Sequence, residues 1–527
     1  MTRQNSFGRR GTIIGGGLLL VGLAAVAVLA LKPAEKPGQS QPADPPTNGA
    51  TLDELRPQVT EFCGACHEVP SAAGFPKAAW RKEVQNGYDF YVDSGRTDLE
   101  PPPLGKVVAW FRNQAPVEVV IPPHAEGPIS NKLKFRVATS ARDGPDQRSG
   151  PAVSFVGWRP LSAGAPPVLL SCDMRSGEVR GCEPLSGQLE SRLIARLAHP
   201  AHAEPCDLDG DGNLDLVVAE LGSFQPADHA HGKVVWLRQG ANDSWETVVL
   251  QEGLGRVTDV EPGDFDGDGD LDLVVAEFGW QKTGRILLLE NVGGARHKPE
   301  FRLREIDGRH GTIHVPTADL NADGRLDFVA LISQEHETVE AFLNDGGGEF
   351  RRKRIFSANE PAFGSSGIQL VDLDRDGDLD VVYTNGDTFD SFYLKPYHGI
   401  RWLENRGSFP FADHQLAVMP GAHRALACDL DGDGDLDIVA CSLLPDRLWG
   451  GQSAIDFDAL LWLEQTEPGR FVRHSLEKAP CRHAAMDVGD FDGDGDVDLA
   501  VGTFAETGEL PALSVWWNLR IDAGTRE

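Results

Sequence analysis

Residues 264–277 read DFDGDGDLDLVVAE, and this stretch decides the fold. Its first nine residues put aspartate at positions 1, 3, 5, 7 and 9 and glycine at positions 4 and 6, where a tight turn needs a residue without a side chain. Carboxylates at positions 1, 3, 5 and 9, with the backbone carbonyl of position 7, converge on one point and build the all-oxygen cage that calcium prefers. The terminal bidentate Glu of an EF-hand is missing, and the chain runs on into LDLVVAE, an apolar β-branched strand rather than a helix.

Working outward, the pattern returns five times. DLDGDGNLDLVVAE starts at Asp207, DLNADGRLDFVAL at Asp319, DLDRDGDLDVVYT at Asp372, DLDGDGDLDIVAC at Asp429 and DFDGDGDVDLAVG at Asp490, with spacings of 57, 55, 53, 57 and 61 residues along the six copies. Six copies in register are a repeat architecture. The candidate metal-site residues are Asp207, Asp209, Asp211, Asn213 and Asp215; Asp264, Asp266, Asp268, Asp270 and Asp272; and Asp319, Asn321, Asp323, Arg325 and Asp327. The last three loops add Asp372, Asp374, Asp376, Asp378 and Asp380; Asp429, Asp431, Asp433, Asp435 and Asp437; and Asp490, Asp492, Asp494, Asp496 and Asp498. Up to six Ca2+ are expected. They would bring the formal charge of −31 to about −19, so much of the acidity is structural, and crowded carboxylates make stability depend on the metal.

These residues resemble the FG-GAP/VCBS repeat of integrin-like β-propellers. The resemblance implies one plan per blade: a first strand, the acidic loop, a second strand, a turn, a third strand ending in WLEN-like residues, and a fourth. KVVWLRQ (233–239), RILLLEN (285–291), IRWLENR (400–406) and ALLWLEQ (459–465) fit the third strand, their aromatics packing between blades. Upstream, AVSFVGWRPL (152–161), PPVLLSCDM (166–174) and GEVRGCEPL (177–185) keep the strand order without an acidic loop. The expected fold is mainly β: a seven-bladed propeller over 131–520, six acidic-loop blades plus one degenerate blade, with a tail at 521–527.

A different signal lies nearer the N-terminus, where residues 62–67 read FCGACH. Two thiols three residues apart can add to the two vinyl groups of a haem, with the adjacent histidine as proximal iron ligand. The motif resembles that of c-type cytochromes and implies one covalent haem c on Cys63, Cys66 and His67, in a small all-α cytochrome domain over 51–118, followed by a linker at 119–130. LDELRPQVTEF (52–62) reads as a helix weakened by Pro57, and VVAWFR (107–112) as the closing helix. No Met occurs in this domain, so the distal position falls to His124, Tyr88, a lysine or a Met from elsewhere, or stays open. Cys172 and Cys182 flank a predicted hairpin and are candidates for a disulfide in an oxidising compartment.

Residues 12–31 (TIIGGGLLLVGLAAVAVLAL) carry no charge over twenty residues, after Arg3, Arg9 and Arg10. That predicts a transmembrane helix anchoring the chain to the inner membrane, with the remainder facing the periplasm or cell surface; a cleaved signal peptide and secretion are the alternative. Segment 1–31 is thus anchor or signal, and the Pro-rich 32–50 a solvated spacer. The charge of −31 argues against nucleic acid as a partner.

If first strands line the propeller channel and acidic loops mark its lower face, most histidines fall in upper connections. His202, His314, His423 and His483, with Arg256, Arg424 and Arg482, ring the upper mouth and are the candidate catalytic residues, suited to an anionic ligand, a transition metal or proton transfer. Three functions follow: electron transfer with a redox partner protein, glycan or protein binding at the cell surface, or an oxidoreductase or polysaccharide-acting enzyme at the channel mouth. No Ser/His/Asp signature, nucleotide-binding loop or HExxH occurs.

Overall fold

The computed structural model describes residues 54–122, 133–140, 149–162, 164–185, 188–241, 244–293, 298–389, 391–449 and 457–519. The predicted membrane segment 12–31, the spacer 32–50, His124 and the tail 521–527 lie outside them. Among the described residues no helix is long and apolar enough to cross a membrane.

Seven antiparallel sheets form a ring, so the protein is mainly β and a seven-bladed propeller, with three α-helices among the described residues. Blade 1 comprises Val153–Arg159, Val168–Asp173, Glu178–Leu185 and Gln188–Arg196. Blades 2, 3, 5 and 6 begin with Pro200–Cys206, Val257–Gly263, Ser365–Val371 and Ala422–Cys428, and each continues through three consecutive neighbours. Blade 4 opens with a split strand, Thr312–His314 and Thr317–Ala318, because Pro316 has no N–H to give the ladder. Blade 7 takes His483–Gly489, Asp498–Thr503 and Leu513–Asn518 from the end of the chain and Phe135–Thr139 from before blade 1 as its outer strand. The innermost strands touch in order around the ring, and that of blade 7 meets that of blade 1, which closes it.

The sequence explains the layering. In blades 2 to 7 the second strand, such as Asp215–Glu220, is buried at every position, and in blade 1 only Ser171 breaks the run. Leu216 and Val218 face the core shared with blade 1, while Val217 and Ala219 face the core shared with blade 3. A strand covered on both faces reads as a continuous apolar run. Burying a Val or Leu side chain stabilises by roughly 1.5–3 kcal/mol, so these cores are the main cohesive term. The WLEN aromatics Trp236, Trp402, Trp462 and Trp517 are buried in them.

Helices α1 (Arg56–Cys63), α2 (Trp80–Asp93) and α3 (Leu104–Gln114) form a separate unit around Val59, Trp80, Val107 and Phe111, the last stacking on Trp80 at 4.0 Å. Pro57 does not weaken the middle of α1, because the helix begins at Arg56 and places the proline in its first turn, where no intrahelical N–H is needed. Helix α2 was not expected from the sequence. The disulfide expectation fails. Cys172 pairs with Val179 and Cys182 with Leu169, three positions apart, and the two thiols enter different cores. That is a separation of roughly 10 Å on opposite faces, beyond the ~7 Å reach of a bridge.

Candidate functional sites

The acidic loops join first and second strands. Position 1 accepts backbone N–H bonds from further along its own loop: Asp207 from Asp211 and Gly212 (both 3.0 Å), Asp264 from Gly267 (2.8 Å) and Gly269 (3.1 Å), Asp490 from Gly493 (2.7 Å) and Gly495 (3.0 Å). Carboxylate oxygens of Asp207, Asp209 and Asp211 lie within 4.8 Å of one another, as do those of Asp264, Asp266 and Asp268, and of Asp372, Asp374 and Asp376. The donor chemistry suits a hard cation. The buried Oδ1 atoms of Asp372 and Asp429 have no hydrogen-bond partner, which leaves a lone pair for one.

Position 9 has a second task that the sequence reading missed. Its carboxylate is at most 1% exposed in all six loops and accepts the backbone N–H of the residue closing the third strand: Gln239, Asn291, Asn344, Asn405, Gln465 and Asn518, at 2.7–2.8 Å. In four loops its other oxygen also accepts the N–H of position 2, at Phe265, Leu320, Leu373 and Phe491. The last letter of WLEN is therefore a latch. The side chain of Asn344 also donates to Phe265 O of blade 3 (2.8 Å), and that of Asn518 to Leu430 O of blade 6 (2.9 Å), tying one blade to the loop of the next. Burial raises the carboxyls of Asp215, Asp272 and Asp380 to about 6 and those of Asp437 and Asp498 to about 7.

In the channel the structure gathers some candidate residues and separates others. Asp259 lies between two histidines: its Oδ1 pairs closely with His202 Nδ1, while its Oδ2 is 3.6 Å from His314 Nδ1 and accepts Val315 N–H at 2.9 Å. His202 Nε2 reaches Glu204 (3.1 Å), Arg159 grips Glu204 (2.9 Å), and Arg159 also meets Asp487 (3.3 Å). Ligand atoms of His202, Glu204 and Glu261 lie within 4.8 Å of one another. Burial alone would strip the proton from His202, but Asp259 and Glu204 hold it and push its pKa up to about 10. Burial and the neighbouring Asp259 and Glu204 raise Glu261 well above the usual carboxylate range. His423, lowered to about 4 by burial and by His314, and Arg424, which donates to Ile368 O at 3.2 Å, stand on the same wall. His483 instead pairs with Glu477 (2.8 Å), Arg482 with Asp446 (3.0 Å), and Arg256 packs over the Phe278 ring. The five partners Arg159, Glu204, Asp259, Glu261 and Asp487 went unread; the alternation His202-x-Glu204 and Asp259-x-Glu261 on channel strands was their signal. An anionic ligand would meet this ring of carboxylates, whereas the ring itself stores protons at His202 and Glu261.

In the helical unit α1 ends at Cys63, and Cys66 and His67 follow in the turn. Both thiols are free. Arg96 Nη1 donates to Cys66 Sγ (2.9 Å), and burial with Cys66 nearby pushes the Cys63 thiol up to about 11. Phe62 packs on Tyr88 and Tyr91 of α2, and Val92, one turn beyond Tyr88, is 72% exposed. Tyr88 donates its hydroxyl to Pro102 O, and Met419 and Met486 are buried in propeller cores. The unit docks on the upper face of blade 5. Glu360 accepts Ser71 N–H (2.8 Å); Lys395 Nζ donates to Gly74 O (2.9 Å) and sits 3.0 Å from the centroid of the Phe75 ring.

The model of the FG-GAP-like repeat matches residues 207–275 and 307–383, each stretch carrying two acidic loops, so the propeller is built from FG-GAP-like repeats. Cartilage acidic protein 1 of mouse is 24% identical over 317 residues, covering 56% of this chain and 47% of that protein. The human protein of the same name is 23% identical over 320 residues, covering 56% and 46%. This chain spans about half the length of the curated relatives it matches.

Proposed function

We propose that this FG-GAP-like propeller carries an electron-transfer unit: a c-type haem held by Cys63, Cys66 and His67 on a helical domain clamped to the upper face of a calcium-loaded propeller. The observation that carries this reading is the clamp. Ser71 and Gly74, four and seven residues past His67, are bound by Glu360 and by Lys395, whose side chain is 1% exposed. A flexibly tethered domain would not bury a lysine at its contact. Bound haem c would supply one-electron transfer. The chain's own part is to fix the thiols at the end of α1 and to hold the turn that follows His67 against Glu360 and Lys395 of the propeller.

Export through the 12–31 segment would place the protein at the periplasm or cell surface, anchored in the inner membrane or secreted, with a redox protein as partner. Calcium in the six loops would rigidify the blades. The test is the optical spectrum of the full chain made in a host that matures c-type haem, oxidised, reduced, and reduced with carbon monoxide. A reduced c-type band that survives denaturation, and is lost in Cys63→Ala/Cys66→Ala, is the expected result. A band unmoved by carbon monoxide assigns an electron carrier, and a shifted one an open iron with chemistry of its own. Absence of covalent haem overturns the proposal and leaves the propeller as a glycan- or protein-binding module.

A further inference from the structure

Blade 4 carries a cluster that none of the preceding functions uses. His310 lies in the connection between Phe301–Asp307 and Thr312–His314, and Glu335 and His336 in the turn between Asp327–Ile332 and Thr338–Gly346, both on the upper face. One ligand atom from each side chain falls within 4.8 Å of the other two. His310 Nε2 is 2.9 Å from Glu335 Oε2, and the two imidazole rings lie 5.3 Å apart. All three residues are partly buried, with the Glu335 side chain 31% exposed, so solvent reaches the cluster from one side.

The backbone brings them together by force of hydrogen bonds. Gly311, at φ 89°, receives the Ser333 N–H at 2.8 Å, and a Cβ at Gly311 would come within 2.9 Å of Ser333 O, so these two connections pack too closely for any other residue there. Gln334 (φ 56°) and Glu337 (φ 43°) hold left-handed conformations on either side of Glu335–His336. Glu337 is itself locked in place, accepting the N–H groups of Gly364 and Ser365 of blade 5 at 3.0 Å each. A strained turn fixed at both ends, holding two imidazoles and a carboxylate at one point, is more than a surface ion pair requires, since a single histidine would serve Glu335.

We propose that His310, Glu335 and His336 form a binding site for a divalent transition metal of the zinc class. The donor set suits zinc: two imidazole nitrogens and one carboxylate oxygen, with the fourth tetrahedral position open to water. With metal–ligand bonds of about 2.0–2.1 Å, neighbouring tetrahedral ligands stand about 3.3 Å apart, close to the 2.9 Å between His310 and Glu335, and His336 needs to close only a short gap. The all-oxygen loops on the lower face favour calcium and differ in chemistry from this site.

The experiment is equilibrium dialysis and titration calorimetry of the metal-stripped full chain with Zn2+ alone, in excess Ca2+ so that the acidic loops are occupied. The wild type is expected to take up one more zinc per chain than His310→Ala/His336→Ala, with the affinity of that site falling by about a hundredfold or more, as befits loss of direct ligands. Glu335→Gln, which keeps the fold's shape and one oxygen donor, is expected to weaken binding by about tenfold or more. His229→Ala/His231→Ala, altering the stacked histidine pair of blade 2 two blades away, is expected to leave it unchanged. Equal zinc stoichiometry and affinity in the wild type and both site variants overturns the proposal, as does loss of binding only in the His229/His231 variant. If the double alanine variant fails to fold by circular dichroism, Glu335→Gln decides.

Discussion

Blade 1 and the other six blades have the same four-stranded sheet, yet only six carry the acidic loop. In blade 1 the first and second strands are joined by PLSAGAPP (160–167), with prolines where the others have aspartates. The shared element is the apolar plug at the second loop position: Leu161 in blade 1 is 3% exposed, like Leu208, Phe265, Leu373 and Leu430. Its carbonyl does the same work as well, since Gln239 of blade 2 donates to Leu161 O (3.2 Å) just as Asn344 donates to Phe265 O. Blade-to-blade latching thus needs an apolar plug and a carbonyl, not the carboxylates of positions 1, 3 and 5. The carboxylates at positions 1, 3 and 5 are not needed for the sheet, and the proposed cation is the role their clustered oxygens suit.

Removing calcium should sharpen that contrast most. A site kept at a hundredfold excess of ligand over its dissociation constant adds about 2.7 kcal/mol. Six such sites together would match or exceed the 5–15 kcal/mol that holds an ordinary domain, so chelation should bring the propeller to the edge of unfolding. Thermal melts with Ca2+ and with EDTA check this, and equal melting temperatures would reduce the loops to hydrogen-bonded turns. The calcium-free protein has a pH signature too. Asp215, Asp272, Asp380, Asp437 and Asp498 titrate at about 6 to 7 when folded, against about 3.9 unfolded. The folded state binds more protons across that window, so their stabilisation is complete below about pH 3.9 and lost as pH rises through 6 to 7. In EDTA the melting temperature should fall from pH 5 to 8, and calcium should cancel that fall.

A smaller effect separates latch from cage. Asp272→Ala leaves the N–H groups of Phe265 and Asn291 without their acceptor in a buried site, at about 1–3 kcal/mol each. The expected loss is about 3 kcal/mol, persisting in EDTA, where the metal no longer counts. Val168 opens the second strand of blade 1 where Asp272 opens that of blade 3, and Val168→Ala should cost about 1.6 kcal/mol, the worth of two methyl groups and about half the Asp272→Ala loss. If Asp272→Ala costs nothing in EDTA, position 9 serves the cation alone.

How much of this was legible follows from locality. The loops, the second strands and the degenerate blade were read because their residues lie within one short window. The closing strand Phe135–Thr139 was not, because its partner Leu513–Asn518 lies at the other end of the propeller sequence and no short window holds both. Asp259 was missed because a lone acid in a strand looks solvated, and only the ring brings it between His202 and His314 from two other blades. The cysteine pair misled because a hairpin was assumed without its register. Helix α2 escaped because WRKEVQNGYDFYVD carries a glycine and few aliphatic residues, and its stability comes from Trp80 and Val84 packing on other helices.

The docking of the helical unit is non-local and illegible in either partner alone. It offers the smallest prediction, and one that tests whether the two regions are a single working body. Lys395 is buried, and burial lowers its ammonium to about 7, yet it holds Gly74 O and faces the Phe75 ring, 321 residues away along the chain. Lys395→Met keeps the apolar stem and removes the donor. It should leave the propeller's melting temperature unchanged, because no inter-blade core includes residue 395. Amide exchange at residues 71–75 should quicken by about tenfold or more, the equivalent of one hydrogen bond to a charged group being lost. Unchanged exchange would mean that Glu360 and the Phe75–Tyr393 contact suffice to hold the unit. Faster exchange with an intact propeller would mean that one buried lysine keeps the joint between the helical unit and the propeller face closed.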